Sequence, residues 1–285
     1  MAYCAECGLE INMDKSNDST VMDMFGLRNK VAIVTGGART LGYNMALSLA
    51  QAGADLAITS RDLAHSESAA EKISLLTGRK VLPVALDVKS EADVEKMVDT
   101  VLSEFKHIDI LVNNAGNVTS TPKNAPFEVR PLELWKDVID VNLTGLFLCS
   151  KHVVAKAMKP AGSGCIINLG SVAGITGKDR RVYSGTDIGG STLDYHAAKG
   201  GVINMTRDMA VYLAPHGIRV NCLSPGVFWR NQDEKFIKAY SDHIPMGRFG
   251  REDKELNGAV VYLASEAASY VTGHNLVVDG GLTVW

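Results

Sequence analysis

The sequence has 285 residues, a net charge of -3 and a hydrophobic content of 46%, values typical of a soluble enzyme built as one large α/β domain. The small negative charge argues against nucleic acids and acidic membranes as partners. We see no apolar run of the roughly 18–20 residues that a membrane helix needs, and no signal-peptide pattern. We therefore expect a cytoplasmic protein that acts on a small molecule.

The first 26 residues differ from the rest of the chain. Cys4 and Cys7 resemble half of a zinc site, but a structural zinc needs four ligands, so we predict free thiols and no metal. A zinc shared between subunits is the alternative. The polar run from Asp14 to Thr20 favours disorder. Residues 1–26 are therefore predicted to be a flexible extension, while the remaining cysteines lie in apolar runs expected in the core.

From residue 27 onward, short apolar runs alternate with segments of helical periodicity. The predicted strands cover residues 31–34, 56–59, 81–88, 108–112, 165–169, 218–223 and 275–278. The predicted helices cover residues 41–53, 61–77, 91–105, 131–158, 195–213 and 252–264.

This alternation predicts right-handed crossovers and a parallel sheet with helices on both faces. We found no linker rich in Pro, Gly or Ser and no internal repeat. The sequence therefore predicts an α/β fold of the doubly wound Rossmann type, with a seven-stranded sheet in a single domain over residues 27–285.

A glycine turn connects the first predicted strand to the first helix, with the sequence Thr35-Gly36-Gly37-Ala38-Arg39-Thr40-Leu41-Gly42. Glycines allow close approach of the backbone to a ligand, and the N-terminus of the following helix favours a phosphate. A plain glycine-rich turn is the alternative. Its place after the first strand favours nucleotide binding.

The end of the second strand bears on the choice of nicotinamide cofactor. An acidic residue there would bind the adenosine ribose and repel a 2′-phosphate. The sequence has Ser60-Arg61 instead, and Arg39 lies in the glycine turn. Because an arginine can bind a phosphate through two hydrogen bonds, we favour NADP over NAD.

Tyr195 and Lys199 are four residues apart on a predicted helix, so they share one face. A nearby ammonium should lower the tyrosine pKa toward neutral pH, which suits the phenol for general acid–base work on an alcohol or ketone. Tyr183 is a competing candidate. Asp187 follows it by four residues and would raise its pKa instead, so Tyr195 is preferred.

In this order along the chain, the motifs resemble those of the short-chain dehydrogenase/reductase family from about Gly26 to the C-terminus. The resemblance rests on residues 35–42, on Asp87 after the third strand, on Asn113-Asn114-Ala115-Gly116, on Pro225-Gly226 and on Val278-Asp279-Gly280-Gly281. It implies cofactor contacts from Gly36, Arg39, Thr40, Leu41, Gly42, Ser60, Arg61, Asp87, Val88, Asn114, Ala115, Gly116, Tyr195, Lys199, Pro225, Gly226 and Val227.

The resemblance also implies a catalytic tetrad of Asn142, Ser171, Tyr195 and Lys199. Tyr195 would be the general acid in ketone reduction and the base in alcohol oxidation. Ser171 would hydrogen-bond the reacting oxygen, and Lys199 would lower the pKa of Tyr195 and bind the nicotinamide ribose. Asn142 would hold a water that links Lys199 to solvent.

The chain departs from the family pattern in three places. Thr40 stands where the nucleotide loop usually has its second glycine. Residues 177–193 make the connection between Ser171 and Tyr195 longer than usual, and they either border the substrate or form a surface or subunit contact. The threonine expected after Pro225-Gly226 is missing, which leaves the backbone of Val227 for the carboxamide.

The basic residues Lys178, Arg180, Arg181, Arg230 and Lys235 could receive an anionic substrate such as a sugar acid, with Phe228 and Trp229 covering one face. A solvated positive rim is the alternative. The second half of the chain is most similar to gluconate 5-dehydrogenase-like members of the family. The hypotheses are therefore an NADP-dependent oxidoreductase on a sugar acid or polyol, a 3-oxoacyl thioester reductase, or a nucleotide-sensing protein without turnover.

The resemblance further implies a homotetramer formed through the long helices that precede the fifth and sixth strands. Leu143, Leu146, Phe147, Met205 and Met209 offer apolar surface for such pairing, although some of them must belong to the core.

Overall fold

The computed structural model describes residues 2–3, 10–11, 20–118, 127–186 and 189–285. Seven parallel strands form one sheet in the order β3-β2-β1-β4-β5-β6-β7. They are β1 (Val31–Val34), β2 (Asp55–Ser60), β3 (Val81–Ala85), β4 (Ile110–Asn113), β5 (Gly164–Leu169), β6 (Ile218–Pro225) and β7 (Asn275–Val278). The predicted seven-stranded Rossmann sheet is confirmed.

Helices connect the strands and cover both faces of the sheet. They are α1 (Thr40–Gln51), α2 (Leu63–Thr77), α3 (Glu91–Phe105), α4 (Leu132–Ala161), α5 (Leu193–Leu213), α6 (Glu234–Ser241) and α7 (Asn257–Ala264). The long helix α4 is interrupted by two π turns, at Asp140–Thr144 and Val154–Met158.

Several elements differ from the sequence prediction, most of them by one to three residues at an end. Strand β3 ends at Ala85 rather than residue 88, because the chain turns at the sheet edge to reach Asp87. Helix α7 begins at Asn257, since residues 252–256 form turns. Helix α6 was not predicted, although Asp233 caps it through Lys235 and Phe236 and apolar residues follow at helical spacing.

The core consists of two apolar layers, one on each side of the sheet. Side chains of β1 alternate between them, Ala32 and Val34 facing α1, α2 and α7, and Val31 and Ile33 facing α3, α4 and α5. All four residues of β1 are buried, as expected for the central strand of a parallel sheet. Cys149, Cys165 and Cys222 are buried free thiols, as predicted.

The N-terminal extension is described only in part. Ala2–Tyr3 and Glu10–Ile11 pair as two short antiparallel strands, whereas Cys4 and Cys7 lie outside the described residues. A 3-10 turn follows at Asp23–Phe25.

Helix α4 corrects the expectation that no segment has the length and composition of a membrane span. It is the one helix in the described ranges that is long and apolar enough to cross a membrane, and half of its most apolar part is buried within the protein. A core helix of a soluble protein can have the same length and composition.

The order of the strands places a crevice at the carboxyl ends of β1 and β4. The chain leaves β1 toward β2 on one side and later returns to β4 on the other. The loops after these two strands therefore diverge, and in open α/β sheets ligands bind at this switch in strand order.

Candidate active site

The glycine turn after β1 is held in place by the loop after β4. The Asn114 side-chain amide donates to the carbonyl oxygens of Thr35 (2.9 Å) and Gly36 (3.1 Å). Thr35 Oγ1 in return accepts from the backbone N–H groups of Asn114 and Ala115, both at 3.0 Å. Gly42 packs against Gly36 and Asn114 so closely that a Cβ would clash with both. The turn is therefore a rigid backbone cradle.

Thr40, the departure in the nucleotide loop, has a left-handed backbone with φ of +50°. This conformation is unfavourable for a β-branched residue and suits a glycine. The residue is exposed at the start of α1. Thr40 thus keeps the backbone shape that a glycine would adopt, at the expense of local strain.

A cleft of about 610 Å³ opens at the switch in strand order, and we call it the switch-point cleft. It lies between the glycine turn, the ends of β2, β3 and β4, and the start of α5. All but three of the predicted cofactor residues line it. Gly42 is packed behind the turn, and Gly226 and Val227 lie in a second, adjoining cleft.

Two exposed arginines, Arg39 and Arg61, line the switch-point cleft. Within the described ranges neither has an ion pair with a carboxylate. The neighbouring Asp62 is engaged, since its carboxylate caps α2 by accepting from Ala64 N–H at 3.0 Å and lies 3.4 Å from His65. The end of this cleft that Arg39 and Arg61 line therefore presents positive charge without an ion pair from the described residues.

Three members of the predicted tetrad meet at the wall between the clefts. Ser171 lies two residues after the end of β5, and its hydroxyl is close enough to the phenol of Tyr195 to lower the pKa of that phenol. The Lys199 ammonium lies 5.6 Å from the centre of the Tyr195 ring and donates to the Leu169 carbonyl at 2.7 Å. Ser171 Oγ also accepts from Ala173 N–H at 3.1 Å, which fixes its rotamer.

The expected fall in the Tyr195 pKa is wrong. Burial raises the pKa of Tyr195, and the Ser171 hydrogen bond and the Arg230 charge offset this only in part. Burial also lowers the pKa of Lys199 to about 8. The low-dielectric site thus destabilises the charged ammonium itself. This limits how far Lys199 can lower the pKa of the Tyr195 phenol.

Asn142, the fourth tetrad residue, lies in the first π turn of α4. Its amide nitrogen donates to the backbone and side-chain oxygens of Asn117, at 2.8 and 2.9 Å, and to the Val138 carbonyl at 2.9 Å. Its side-chain oxygen is buried and accepts no hydrogen bond from the described residues. The π turn therefore presents a fixed acceptor toward the switch-point cleft.

A second cleft of about 650 Å³ adjoins the first, and we call it the insert cleft because residues 177–193 form one wall. Ser171, Tyr195 and Arg230 line it, and Tyr195 and Arg230 line both clefts. Residues of the long segment therefore line the same cleft as Tyr195. The contact of this segment with a substrate remains a prediction.

The insert is fixed by aromatic packing. A 3-10 turn at Arg180–Tyr183 buries Val182 and places the Tyr183 ring 5.2 Å from that of Phe236 on α6. Tyr240 and Phe249 complete the cluster. Burial raises the pKa of Tyr183, as it does that of Tyr195, so this direction does not distinguish the two tyrosines. Asp187, part of the argument against Tyr183, lies outside the described residues.

Only some of the predicted basic residues reach the insert cleft. Lys178 and Arg230 line it. The Lys178 ammonium donates to the carbonyls of Gly189 (2.9 Å) and Ser191 (3.3 Å) and lies 4.1 Å from the centre of the Tyr183 ring. Burial lowers the pKa of Lys178 to about 8, whereas Arg230 forms an ion pair with Glu252.

The other basic residues that were expected to receive an anionic substrate lie outside this cleft. Arg180, Arg181 and Lys235 do not line the insert cleft, and Arg181 is paired with Asp179 at 2.7 Å. Trp229 is exposed outside the cleft, whereas Phe228 is buried in its wall.

Several residues of the insert cleft were missed by sequence reasoning. They include His196, Gln232, Tyr240, His243 and Trp285. Gln232, Tyr240 and His243 lie in or beside the unpredicted α6, for which the cap at Asp233 was the available signal. Trp285 had no signal, because its place depends on a hydrogen bond from its indole N–H to the His243 carbonyl at 3.1 Å.

The turn after β6 lies between the two clefts. A Cβ on Gly226 would collide with the backbone of Asp279, so the glycine allows β6 and the final segment to pack. The Val227 carbonyl accepts from Gly250 N–H at 2.9 Å. Its own N–H has no partner within the described part of the chain, which leaves that donor for a ligand.

Comparison with known proteins agrees with this geometry. A family model described as "Enoyl-(Acyl carrier protein) reductase" matches residues 36–283. The chain is 36% identical to the 3-oxoacyl-[acyl-carrier-protein] reductase of Synechocystis, over 92% of this chain and all of the relative. It is 34% identical to the 2-dehydro-3-deoxy-D-gluconate 5-dehydrogenase of Escherichia coli, over 92% of this chain and 98% of the relative.

A solved structure is similar over nearly the whole chain. It is a gluconate 5-dehydrogenase from Burkholderia cenocepacia, in complex with NADP and tartrate, with a TM-score of 0.83 and 32% identity over 93% of this chain and all of that one. The fold and the site define an oxidoreductase of the Rossmann type. The chain belongs to the short-chain dehydrogenase/reductase family.

Proposed function

We propose that this protein is an NADP-dependent oxidoreductase that interconverts a secondary alcohol and a ketone, with a sugar acid or polyol as substrate. The observation that carries the proposal is the convergence on Tyr195. Its phenol lies beside the Ser171 hydroxyl, and its ring lies where the cleft with the glycine turn meets a second, polar cleft.

The residues of the switch-point cleft fit a dinucleotide. Gly42 packs so closely against Gly36 and Asn114 that a Cβ would not fit. This close packing lets the backbone N–H groups of the glycine turn approach a phosphate. Arg39 and Arg61 would bind a 2′-phosphate, since neither is already paired with a carboxylate among the described residues. The relative from Burkholderia was solved with NADP, which supports the same choice here.

The remaining contacts follow from the positions of the cleft residues. Ser60, Asp87 and Val88 would border the adenosine, and Asn114, Ala115 and Gly116 the ribose and pyrophosphate. Pro225, Gly226 and Val227 would border the nicotinamide, with the free Val227 N–H available to its carboxamide. When bound, the cofactor supplies or accepts the hydride, and the protein supplies geometry and electrostatics.

Tyr195 would donate its proton to the carbonyl oxygen during reduction, and it would accept that proton during oxidation. Its raised pKa keeps the phenol protonated at neutral pH, which suits the reductive direction. Ser171 would donate a hydrogen bond to the same oxygen as charge develops on it. Lys199 would bind the ribose and return a proton to Tyr195, with the free Asn142 oxygen ordering the water that completes this relay.

The insert cleft supports a polar, anionic substrate. Lys178 lies in its wall without a carboxylate partner in the described ranges, and Gln232, His196 and Ser191 add hydrogen-bonding groups. The similar structure from Burkholderia was solved with tartrate, a small dicarboxylate. A sugar acid therefore matches both the charge and the polarity of this cleft.

A 3-oxoacyl thioester is the second candidate. The relative from Synechocystis is a 3-oxoacyl-[acyl-carrier-protein] reductase, and the aromatic residues Phe236 and Tyr240 would suit an acyl chain. The polar groups beside Tyr195 favour the sugar acid over this alternative.

The test is reduction by the purified protein, followed at 340 nm, with NADPH and then NADH. The panel contains 5-keto-D-gluconate, neutral ketoses and 3-oxoacyl esters. We expect turnover with NADPH on a keto acid. Preference for 3-oxoacyl esters would select the second candidate, and tight NADPH binding without turnover on any carbonyl would indicate a nucleotide-sensing protein instead.

We also propose a homotetramer. Phe147 on α4 is about half exposed, and Val211 and Tyr212 on α5 are largely exposed, so these helices retain apolar surface. Leu146 is buried in the core instead, and Leu143, Met205 and Met209 are partly buried. Light scattering should give four times the mass of the chain, and a monomer would contradict the proposal.

A further inference from the structure

A buried ion pair lies directly beside the proposed catalytic tyrosine. Arg130 precedes α4, and its Nε and Nη2 donate to Asp194 Oδ2 at 2.8 and 2.5 Å. The Asp194 side chain is 0% exposed and that of Arg130 is 10% exposed. Asp194 is the residue before Tyr195, and none of the tetrad roles uses it.

The same carboxylate also bonds the tyrosine backbone. Asp194 Oδ1 accepts from the Tyr195 N–H at 2.9 Å, while Thr192, the N-cap of α5, makes no side-chain capping bond. Asp194 therefore uses one oxygen for Arg130 and the other for the first turn of α5. Any rotation of that turn, and with it of the tyrosine, would break one of these two bonds.

Arg130 and Asp194 join the two helices that carry most of the tetrad. Asn142 lies on α4, twelve positions after Arg130, and Tyr195 and Lys199 lie on α5. Further along, the helices touch through apolar contacts such as those of Leu146 with Val202 and Ile203. Apolar contacts allow sliding, whereas a two-pronged arginine–carboxylate pair fixes orientation.

Stability alone is a poor explanation of this pair. The desolvation of two charges largely cancels their attraction, so a buried ion pair contributes little net stability compared with apolar residues. The pair instead fixes the orientation of the first turn of α5 relative to the start of α4. We infer that Arg130 and Asp194 are positioning residues that set the orientation of Tyr195 relative to Ser171 and Asn142. This inference rests on the role proposed above for Tyr195.

The decisive variant is the double substitution Arg130→Met with Asp194→Asn. It removes both charges of this pair, and asparagine can still accept from the Tyr195 N–H. We expect each single variant to lower the melting temperature, because it leaves one buried charge without its partner. The double variant should have a melting temperature close to that of wild type. We expect kcat to remain lower by about 100-fold, the effect of a displacement of about 1 Å, with KM within about threefold of wild type.

The matched control is Arg79→Met with Asp55→Asn, a second arginine–aspartate pair at 2.8 Å that is partly buried and remote from Tyr195. Its kcat should equal that of wild type. The assay uses NADPH with 5-keto-D-gluconate, or with whichever carbonyl compound the panel selects. Recovery of kcat together with melting temperature in the double variant would show a purely structural role and overturn the inference.

A second measurement needs no turnover, so it separates this inference from the proposed function. Hydrogen exchange of the free double variant should be faster than in wild type in the peptide that contains Tyr195 and Lys199, and unchanged in the peptide of β1. Unchanged exchange at the start of α5 in the double variant would contradict the inference. Absence of wild-type activity on every carbonyl would instead contradict the proposed function alone.

Discussion

The two clefts that meet at Tyr195 are built in different ways. The switch-point cleft is formed mainly by turns that follow neighbouring strands, and its cradle is held by hydrogen bonds between Asn114 and the backbone of Thr35 and Gly36. The insert cleft is formed by side chains from segments far apart in the sequence, among them Lys178, Tyr240 and Trp285.

This difference has a functional meaning. Backbone geometry after parallel strands is common to the fold, so the switch-point cleft suits a ligand shared by many proteins. Loop side chains vary without disturbing the sheet, so the insert cleft suits a substrate particular to this chain. If this division is correct, substitutions in one cleft should leave binding in the other unchanged.

The largest effect is expected at Tyr195, which lines both clefts. Tyr195→Phe removes the proton that the carbonyl oxygen needs, so kcat should fall by about 1,000-fold, within the usual range for a general acid. Fluorescence titration should give an NADPH Kd within about twofold of wild type.

The control for this substitution is Tyr183→Phe, in the aromatic cluster of the insert cleft. The hydroxyl of Tyr183 has no proposed chemical role, so kcat should stay within about threefold of wild type, far from the effect at a general acid. Loss of turnover in Tyr183→Phe and its retention in Tyr195→Phe would reverse the assignment of the two tyrosines.

The next effect concerns the cofactor alone. Arg61→Ser removes charge-assisted hydrogen bonds to a 2′-phosphate, so the NADPH Kd should rise by about 10- to 100-fold. The NADH Kd and the substrate KM should not change. Arg251→Ala, at an exposed arginine paired with Asp253, is the control. An equal rise in the Kd values of NADPH and NADH would indicate that Arg61 does not bind the 2′-phosphate.

A smaller effect is expected in the insert cleft. Lys178→Met should raise KM for a keto acid by about tenfold, since a charge-assisted hydrogen bond is lost, and leave KM for a neutral ketose and the NADPH Kd unchanged. A rise in KM for both kinds of substrate would show that the lysine only supports the shape of the insert.

The same lysine predicts a pH dependence. Burial lowers the pKa of Lys178 to about 8, so its positive charge is present below pH 8 and is lost as the pH rises through that value. KM for the keto acid should therefore increase above pH 8 in the wild type. In Lys178→Met this increase should be absent, which distinguishes it from titration of Lys199, whose pKa is also about 8 and which should act on kcat.

The smallest effect concerns the strained backbone of the cradle. Thr40→Gly should relieve a left-handed conformation that costs about 1–3 kcal/mol, against about 0.5–1 kcal/mol of added chain entropy. The melting temperature should rise by about 2–4 °C. Thr100→Gly in α3, at a position of ordinary helical backbone, should lower it instead. A lower melting temperature in Thr40→Gly would show that the threonine side chain makes a stabilising contact.

Most of the switch-point cleft could be predicted from the sequence, because each motif that forms it spans only a few neighbouring residues. The glycine turn, the loop at Asn114 and the pair Tyr195 and Lys199 each lie within a few residues, and a strand end fixes where each of them points. The parallel sheet then brings these ends together by topology alone.

The insert cleft could not be predicted in the same way. Trp285 reaches it through a contact with a residue about forty positions away, and no local pattern marks such a contact. The pKa of Tyr195 was predicted in the wrong direction, because the sequence shows the nearby ammonium but not the burial that outweighs it. Likewise Arg130 and Asp194 are ordinary charges in the sequence, and only folding makes them a buried pair.

The π turn at Asp140–Thr144 gives α4 one place at which the chain can lose a residue. A π turn contains one residue more than an α turn, so deletion of a single residue there would leave a regular helix with intact hydrogen bonds. Because the wide turn absorbs the extra residue, the parts of α4 before and after the deletion would keep nearly the same orientation around the helix axis.

Such a deletion would leave Arg130 beside Asp194 and Val138 in the core. Asn142 would lose the wide turn that places its side chain against Asn117 and Val138. The extra residue therefore serves the position of Asn142 and not the packing of α4 against α5.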